Sequence, residues 1–119
     1  MAQSDKCTTD KCMITNAMDL LGKKWVVLVM YKLLNGPRRF TELEADMAIS
    51  GRLLSERLKD LEAANMVTRR IYPEIPPRVE YELTEKGRGI EPVIKEIYAW
   101  AEKWEAADLE HDKHLVDHK

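Results

Sequence analysis

The sequence predicts an α+β fold that is mostly helical, with one β-hairpin set between helices. Apolar residues recur at helical spacing over 12–33, over 51–64 and again after residue 84. Alternating apolar residues replace this period over 67–83, as expected for paired strands. Three prolines in residues 73–78 exclude helix at the tip of the hairpin.

Length and composition limit what this chain can be. Its 119 residues suffice for one domain, and 45% apolar with 34% charged residues is typical of a core-forming, water-soluble protein. The longest apolar run, Trp25–Tyr31, is far shorter than the roughly 20 residues that span a bilayer. Because the N-terminus is also too polar for a signal peptide, we expect a cytoplasmic protein without membrane contact.

The charge is unevenly distributed along the chain. The net charge of −2 alone argues against a nucleic-acid partner. However, residues 1–90 carry 15 basic and 13 acidic side chains, whereas residues 91–119 carry 4 and 8. A modest basic surface therefore remains in the first part. We expect a flexible tail over 1–11, a folded domain over 12–106 and an acidic, histidine-containing tail over 107–119.

Two helices are predicted at the start of the domain. The helical pattern begins at Cys12, and Gly22 offers a bend between the two helices. Asn35-Gly36-Pro37 ends the second helix, because glycine favours a helix C-terminus and proline cannot continue the helix.

A pair of helices follows. Thr41 and Glu44 have the spacing of a capping box, which predicts a short helix through about residue 48. Ser50 is the natural N-cap of the next helix, predicted over 51–64. The three-residue turn 48–50 makes the pair a helix-turn-helix.

The second helix of this pair has two faces. Leu54, Leu58 and Leu61 form an apolar side, with Asn65 closing the stripe. The opposite side carries Arg52, Ser55, Glu56 and Lys59. Charged helix faces are usually only solvated. The second helix of a helix-turn-helix, however, enters the DNA major groove, where arginine reads guanine and serine holds phosphate.

A hairpin and a last helix complete the pattern. Thr84 is expected to cap the last helix, and Pro92 to delay or bend its start. Helix, helix, helix-turn-helix, hairpin and helix is the order of a winged helix-turn-helix domain. The last helix is surplus to such a domain, and its stripe carries too much apolar area to leave in water. We expect it to form a homodimer interface with the first helix, through Ile14, Ile97, Trp100 and Trp104.

Four stretches of the chain together form a recognisable pattern: LLGKKW (20–25), NGPRRFTEL (35–43), LSERLKDLE (54–62) and YPEIPPRVEYELTEKG (72–87). In these stretches the chain resembles the HxlR family of bacterial and archaeal winged-helix transcription regulators, relatives of the MarR-type repressors. The resemblance covers residues 12–104 and implies a homodimer that binds double-stranded operator DNA. A two-fold dimer should recognise an inverted repeat.

Further DNA contacts are expected around the helix pair. Ser50 and the first amides of its helix suit a phosphate. Arg38 and Arg39 precede the first helix of the pair, which crosses the DNA backbone. Arg78, just after the proline tip, is the preferred contact of the wing, because neighbouring Arg69 and Arg70 point to opposite faces. Glu56 would accept a hydrogen bond from a cytosine amino group, pair with a neighbouring arginine, or disfavour binding to DNA of the wrong sequence.

Cys12 stands where several members of this family have a cysteine that senses oxidants or electrophiles. Its early helical position and neighbouring Lys11 favour the reactive thiolate. Cys7 is an extra thiol, near enough to form a disulfide within or between chains. Met13 and Gly51 stand where many members have proline. Alternatively, Cys12 is only a small buried apolar residue.

The sequence gives little support for a catalytic site, a cofactor site or a metal site. The chain has no glycine-rich phosphate loop, and its two cysteines are too few for a disulfide framework or a structural zinc. Histidines 111, 114 and 118 lie in the charged tail. Two other functions stay open: a winged-helix module that binds protein, and a small thiol enzyme, for which no base is placed near either cysteine.

Overall fold

The computed structural model describes the backbone of residues 10–117 and the side chains of residues 12–109. Cys7, His118 and most of the predicted N-terminal tail lie outside the described residues. In chain order, the elements are α1 (Asp10–Leu21), α2 (Val26–Leu33), β1 (Arg38–Arg39), α3 (Phe40–Met47), α4 (Gly51–Ala63), β2 (Val67–Tyr72), β3 (Arg78–Leu83), α5 (Glu85–Arg88) and α6 (Glu91–Asp117). The predicted α+β, mostly helical winged helix-turn-helix fold is confirmed.

The chain forms two compact units, one ending at Gly89 and one beginning at Ile90. In the first unit, α1 begins two residues before the predicted start. Gly22 ends it, and a Cβ there would lie only 2.6 Å from the carbonyl oxygen of Met18. The predicted bend therefore requires glycine. After α2, Gly36 has φ 136° and its N–H donates to the Leu33 carbonyl over 3.1 Å, which confirms the predicted stop.

The start of α3 differs from the prediction. The N–H of Arg39 donates to Glu42 Oε1 over 2.9 Å, so Glu42 caps this helix. The capping box predicted from Thr41 and Glu44 was wrong by two residues. Strand pairing is the reason: Arg39 lies opposite Glu80 in the sheet and stays extended, and the helix begins directly after it.

The cap of α4 is as predicted. Ser50 Oγ accepts the N–H of Leu53 over 3.1 Å, and the turn 48–50 separates α3 from α4. The end of α4 differs, because Asn65 does not close the leucine stripe. Its φ of 62° turns the chain into β2, and Met66 is buried instead. Asparagine tolerates this left-handed conformation better than most residues.

The core of the first unit combines the helix-turn-helix with α2 and the hairpin. Leu54, Leu58 and Leu61 of α4 are almost completely buried. Their buried companions are Val26, Val29, Met30, Leu33, Leu43, Met47, Ile49, Met66, Val67, Tyr81 and Leu83. Because the leucine face of α4 is fixed inward, the opposite face must point to solvent.

The three strands form an antiparallel sheet in the order β1-β3-β2. The register pairs Arg69 with Tyr81 and Arg70 with Glu80. Directly paired residues share a face of the sheet, so Arg69 lies on the face of buried Tyr81 and Arg70 on the other. We name the hairpin of β2 and β3, with its proline tip, the wing.

Thr84, which was predicted to cap the last helix, caps a shorter helix before it. Thr84 Oγ1 accepts the N–H of Gly87 over 3.0 Å and begins the single turn of α5. The same hydroxyl donates to the carbonyl of Asn65 over 2.6 Å, which binds this turn to the end of α4. In the second unit, α6 begins at Glu91 with Pro92 in its first turn, where no intrahelical N–H bond is lost. Its backbone stays helical through Asp117, beyond the boundary expected at 106.

Candidate nucleic-acid interface

The outward face of α4 presents two cations to solvent. Arg52 is 91% exposed, and its Nε lies 3.7 Å from Glu56 Oε2. Lys59 is exposed and has no carboxylate within 4.0 Å among the described side chains. Ser55 lies between them, half-buried. An exposed pair such as Arg52–Glu56 contributes little stability, so Arg52 can exchange this partner for another.

The flank of α4 carries a cluster that the sequence analysis did not identify. The Arg57 guanidinium donates to the backbone carbonyl of Lys24 over 3.0 Å and to Asp60 Oδ2 over 3.0 Å. Asp60 also pairs with Lys23 Nζ at 3.4 Å. We call these four residues the turn latch, because they hold α4 against the turn between α1 and α2.

The latch holds an unusual turn. Trp25, which follows the carbonyl that accepts from Arg57, has φ 81°. This region of backbone space is costly for a bulky residue and persists only where the surroundings hold it. The spacing of Arg57 and Asp60 on one helix is visible in sequence, but an acceptor 33 residues away is not.

The two arginines before α3 have different environments. Arg38 lies 3.9 Å from Asp46, which also pairs with Lys32 at 3.1 Å. Arg39 is exposed and has no carboxylate partner among the described residues. Of the two, Arg39 is therefore the one whose charge is available to a ligand.

The wing presents different charges from those expected. Arg78 is only 27% exposed and pairs with Glu74 at 3.2 Å and Glu80 at 3.5 Å. Its guanidinium also lies 4.1 Å from the centre of the Tyr72 ring. Arg70 pairs with Glu82 at 3.2 Å. The charge of Arg78 is thus already compensated, which disfavours it as the principal wing contact.

Arg69 is the wing arginine that keeps its charge. It is exposed and has no carboxylate within 4.0 Å among the described side chains. It lies directly opposite Tyr81 in the sheet. Burial raises the pKa of Tyr81 above its ordinary value, although Arg69 opposes this shift. The phenol is therefore neutral at physiological pH and does not cancel the arginine's charge.

A concavity of about 600 Å³ lies between the wing and the start of α3. We call it the wing groove. Arg39 and Arg69 both line it, and neither position was expected from sequence to belong to a pocket. Its other lining residues are Phe40, Thr41, Glu74, Ile75, Pro76, Pro77, Arg78, Val79 and Tyr81.

Cys12 is the one cysteine among the described side chains. It lies on α1, partly buried, with the Asn16 amide 3.7 Å from its Sγ. Ile14, on the same helix, is exposed. Cys7, the second thiol of the prediction, lies outside the described residues.

In the second unit, the apolar stripe of α6 is largely exposed. The exposed fractions are 46% for Ile97, 66% for Trp100 and 49% for Trp104. None of the described helices is long and apolar enough to cross a membrane. Among the described residues, no group of three or more potential ligands is placed to hold a metal ion.

Comparison with known proteins identifies close relatives. The sequence model of the HxlR-like helix-turn-helix family matches residues 20–109. The uncharacterized HTH-type transcriptional regulator YvaP of Bacillus subtilis is 47% identical over 105 residues, covering 87% of this chain and 94% of YvaP. The HTH-type transcriptional regulator YodB of Bacillus subtilis is 44% identical over 90 residues, covering 75% and 80%.

Solved structures show the same similarity. The redox regulator HypR in its oxidized form superposes with a TM-score of 0.73 at 36% identity, covering 77% of this chain and 96% of HypR. Quinone-bound YodB superposes with a TM-score of 0.67 at 39% identity, covering 76% and 96%.

The turn latch gives a first test. We expect Arg57→Met to lower the free energy of unfolding by about 1–2 kcal/mol, because the Lys24 carbonyl and Asp60 lose their donor. Arg52→Met, on the same helix but exposed, should cost less than about 0.5 kcal/mol. Urea unfolding followed by circular dichroism at one protein concentration measures both. Equal losses in the two variants would contradict the latch.

Proposed function

Because the chain belongs to the HxlR-like helix-turn-helix family and is a transcription regulator rather than an enzyme, we propose that it binds double-stranded operator DNA as a homodimer. The observation that carries this proposal is the orientation of α4. Its leucine face is buried, and Arg52 and Lys59 lie exposed on the outward face. A helix in this place in a winged helix-turn-helix inserts its N-terminal half into the major groove.

Each exposed cation has a role that fits its chemistry. Arg52, in the first turn of α4, has the planar guanidinium that reads the O6 and N7 atoms of guanine. Lys59, in the second half of the helix, is a point charge suited to phosphate. Ser50 and the first amides of α4 suit a second phosphate. Arg39 and Arg69 provide the uncompensated charge at the start of α3 and on the wing.

Substitutions on α4 test the interface. We expect Arg52→Ala to weaken operator binding by about 1–3 kcal/mol and to relax specificity at one base pair. Lys59→Ala should weaken all sequences alike and reduce the salt slope by about one. DNA enriched from genomic fragments provides the operator, and fluorescence anisotropy at several salt concentrations measures affinity. Lys95→Ala, an exposed lysine of α6, is the control.

The same titration discriminates the alternative function. Neutralising several phosphates releases counterions, so affinity falls steeply as a power of salt concentration. A winged-helix module that binds only protein would enrich no DNA sequence. If both α4 variants bind the enriched DNA as the parent does, α4 is not the recognition helix.

The exposed apolar residues support the homodimer. Ile14 on α1, and Ile97, Trp100 and Trp104 on α6, expose large side chains that water disfavours. Two copies related by a two-fold axis cover such surfaces and present two α4 helices to an inverted repeat, with half-sites about one or two helical turns apart.

A single tryptophan tests the dimer. We expect Trp100→Ala to raise the dimer dissociation constant at least about tenfold, because truncating a buried aromatic anchor costs about 2 kcal/mol or more. Glu102→Ala changes an exposed neighbour on the same helix and should leave the constant unchanged. Sedimentation velocity measures both variants. A parent protein that stays monomeric at micromolar concentration would overturn the homodimer.

We further propose that an oxidant or electrophile reaching Cys12 controls DNA binding. HypR is named a redox regulator and YodB has been solved bound to quinone, which supports this effector class. The Cys12 thiol would add to a quinone ring to give a thioether hydroquinone. Alternatively, two thiols would lose two hydrogens to diamide and form a disulfide. Cys7 is the candidate partner, within one chain or between two.

Cysteine variants test this control. We expect diamide or quinone to abolish operator binding by the parent and to leave Cys12→Ser bound, because serine forms no such adduct. Cys7→Ser should lose its response to diamide if the disulfide is required, and keep its response to quinone. Anisotropy before and after treatment measures the loss. If oxidised Cys12→Ser releases DNA as the parent does, Cys12 is not the sensor.

A further inference from the structure

The three asparagines of this chain occupy three different environments. Asn16 lies within α1, Asn35 in the turn after α2, and Asn65 in the turn between α4 and β2. They are followed by alanine, glycine and methionine, respectively. The side-chain carbonyl carbon of an asparagine can react with the backbone nitrogen of the next residue, because the two close a five-membered ring. The freedom of that nitrogen therefore decides which asparagine reacts.

Asn35 has the most accessible surroundings for this reaction. Its side chain is exposed and its amide makes no hydrogen bond within the described part of the chain. Gly36 has φ 136°, and a Cβ built on it would meet no described atom within 4 Å beyond its chain neighbours. Since glycine carries no side chain, nothing obstructs the approach of the Asn35 carbonyl carbon to the Gly36 nitrogen.

The backbone nitrogen of Gly36 is held only by the end of a helix. Its N–H donates to the carbonyl of Leu33, the last residue of α2, over 3.1 Å. Pro37, which follows, has no N–H to hold the next peptide in place. Helix ends open at a low free energy compared with the core. The Gly36 nitrogen is therefore released without unfolding of the domain.

The other two asparagines are more strongly restrained. Asn16 lies inside α1, where the following N–H belongs to the helix, and its amide donates to Cys12 Sγ over 3.7 Å. After Asn65, the N–H of Met66 donates to the carbonyl of Leu61 over 2.9 Å, and the Met66 side chain is buried. A reaction at either position requires opening of a helix or of the core.

We infer that Asn35 is a site of spontaneous covalent modification, by deamidation through a cyclic imide. Hydroxide removes the proton of the Gly36 amide, and the nitrogen attacks the side-chain carbonyl carbon of Asn35. The new C–N bond closes a succinimide, while the bond to the side-chain nitrogen breaks and that nitrogen leaves as ammonia. Water then opens the ring at one of its two carbonyls. The products are aspartate and isoaspartate, in which the main chain runs through the former side chain.

Isoaspartate changes the chain just before the helix-turn-helix. It lengthens the main chain by one carbon atom and adds a carboxylate, between α2 and β1. The pairing of Arg38 with Tyr81 and of Arg39 with Glu80 sets where α3 begins, so a longer connection disturbs this register. This modification site goes beyond the proposed DNA binding. One consequence rests on that proposal: the isoaspartate form binds operator DNA more weakly.

Ageing of the full chain tests the site. The parent is incubated at neutral and at alkaline pH, and mass spectrometry of its peptides follows the replacement of –NH2 by –OH at Asn16, Asn35 and Asn65. We expect Asn35 to react at least about tenfold faster than the other two, because its nitrogen needs only local opening. The rate should rise with hydroxide concentration. An Asn35 that stays unmodified, or that reacts no faster than Asn16 and Asn65, would overturn the inference.

Glutamine variants locate the isoaspartate. An isoaspartyl methyltransferase transfers a labelled methyl group from S-adenosylmethionine to this residue and so counts it. We expect the label to disappear in aged Asn35→Gln, because glutamine closes a six-membered ring far more slowly, and to remain in aged Asn16→Gln. Label that persists in Asn35→Gln would contradict the assignment. Should a variant not fold, the peptide masses of the aged parent decide.

DNA binding is measured on the same samples, so that the two proposals fail separately. Aged parent should lose operator affinity in proportion to its isoaspartate, and Asn35→Gln aged alongside should keep it. Asn35→Asp has the charge without the extra backbone atom and should lose less than the isoaspartate form. If Asn35 is modified and no genomic DNA is enriched, the proposed function fails and the site stands. If operator DNA binds and Asn35 stays unmodified, the site fails alone. If modified protein binds operator DNA as fresh protein does, the consequence for DNA binding is wrong.

Discussion

Burial of one face of α4 is the constraint on which the rest of this structure depends. Leu54, Leu58 and Leu61 are fixed in the core, and each buried leucine contributes about 1.5–3 kcal/mol. Only one orientation of α4 about its own axis buries this leucine stripe. The same orientation points Arg52 and Lys59 outward, so the core determines which side chains of α4 are available for the proposed contact with DNA.

Carboxylates then decide which of the remaining cations are available. Arg38 forms an ion pair with Asp46, and Arg70 forms one with Glu82. Arg78 forms ion pairs with both Glu74 and Glu80. Arg39 and Arg69 have no carboxylate within 4.0 Å among the described side chains, and Glu80, which lies opposite Arg39 in the sheet, is paired with Arg78. This selection explains how a chain of net charge −2 still offers a local cationic surface to an anion.

Local signals in the sequence were sufficient to predict the architecture of the chain. The period of the leucines, the Ser50 cap and the proline tip each act within a few residues, and each prediction was confirmed. The start of α3 was missed because a distant residue decides it: pairing with Glu80 holds Arg39 extended. The ion pairs of Arg78 are local, because Glu74 and Glu80 lie only four and two residues away, and they were visible in the sequence. The role of Arg57 in the turn latch was not predicted, because the backbone carbonyl that accepts its hydrogen bond lies 33 residues away.

The turn latch connects the proposed sensor with the proposed interface inside the first unit. Cys12 lies on α1, and the Lys24 carbonyl in the turn after α1 accepts from Arg57 of α4. Hydrogen bonds weaken steeply as their angle departs from linear, so a rotation of α1 that redirects this carbonyl loosens α4. The left-handed backbone of Trp25 makes the turn a strained element with little tolerance for such a rotation. In the proposed control by Cys12, this turn is the connection between α1 and the helix that carries Arg52.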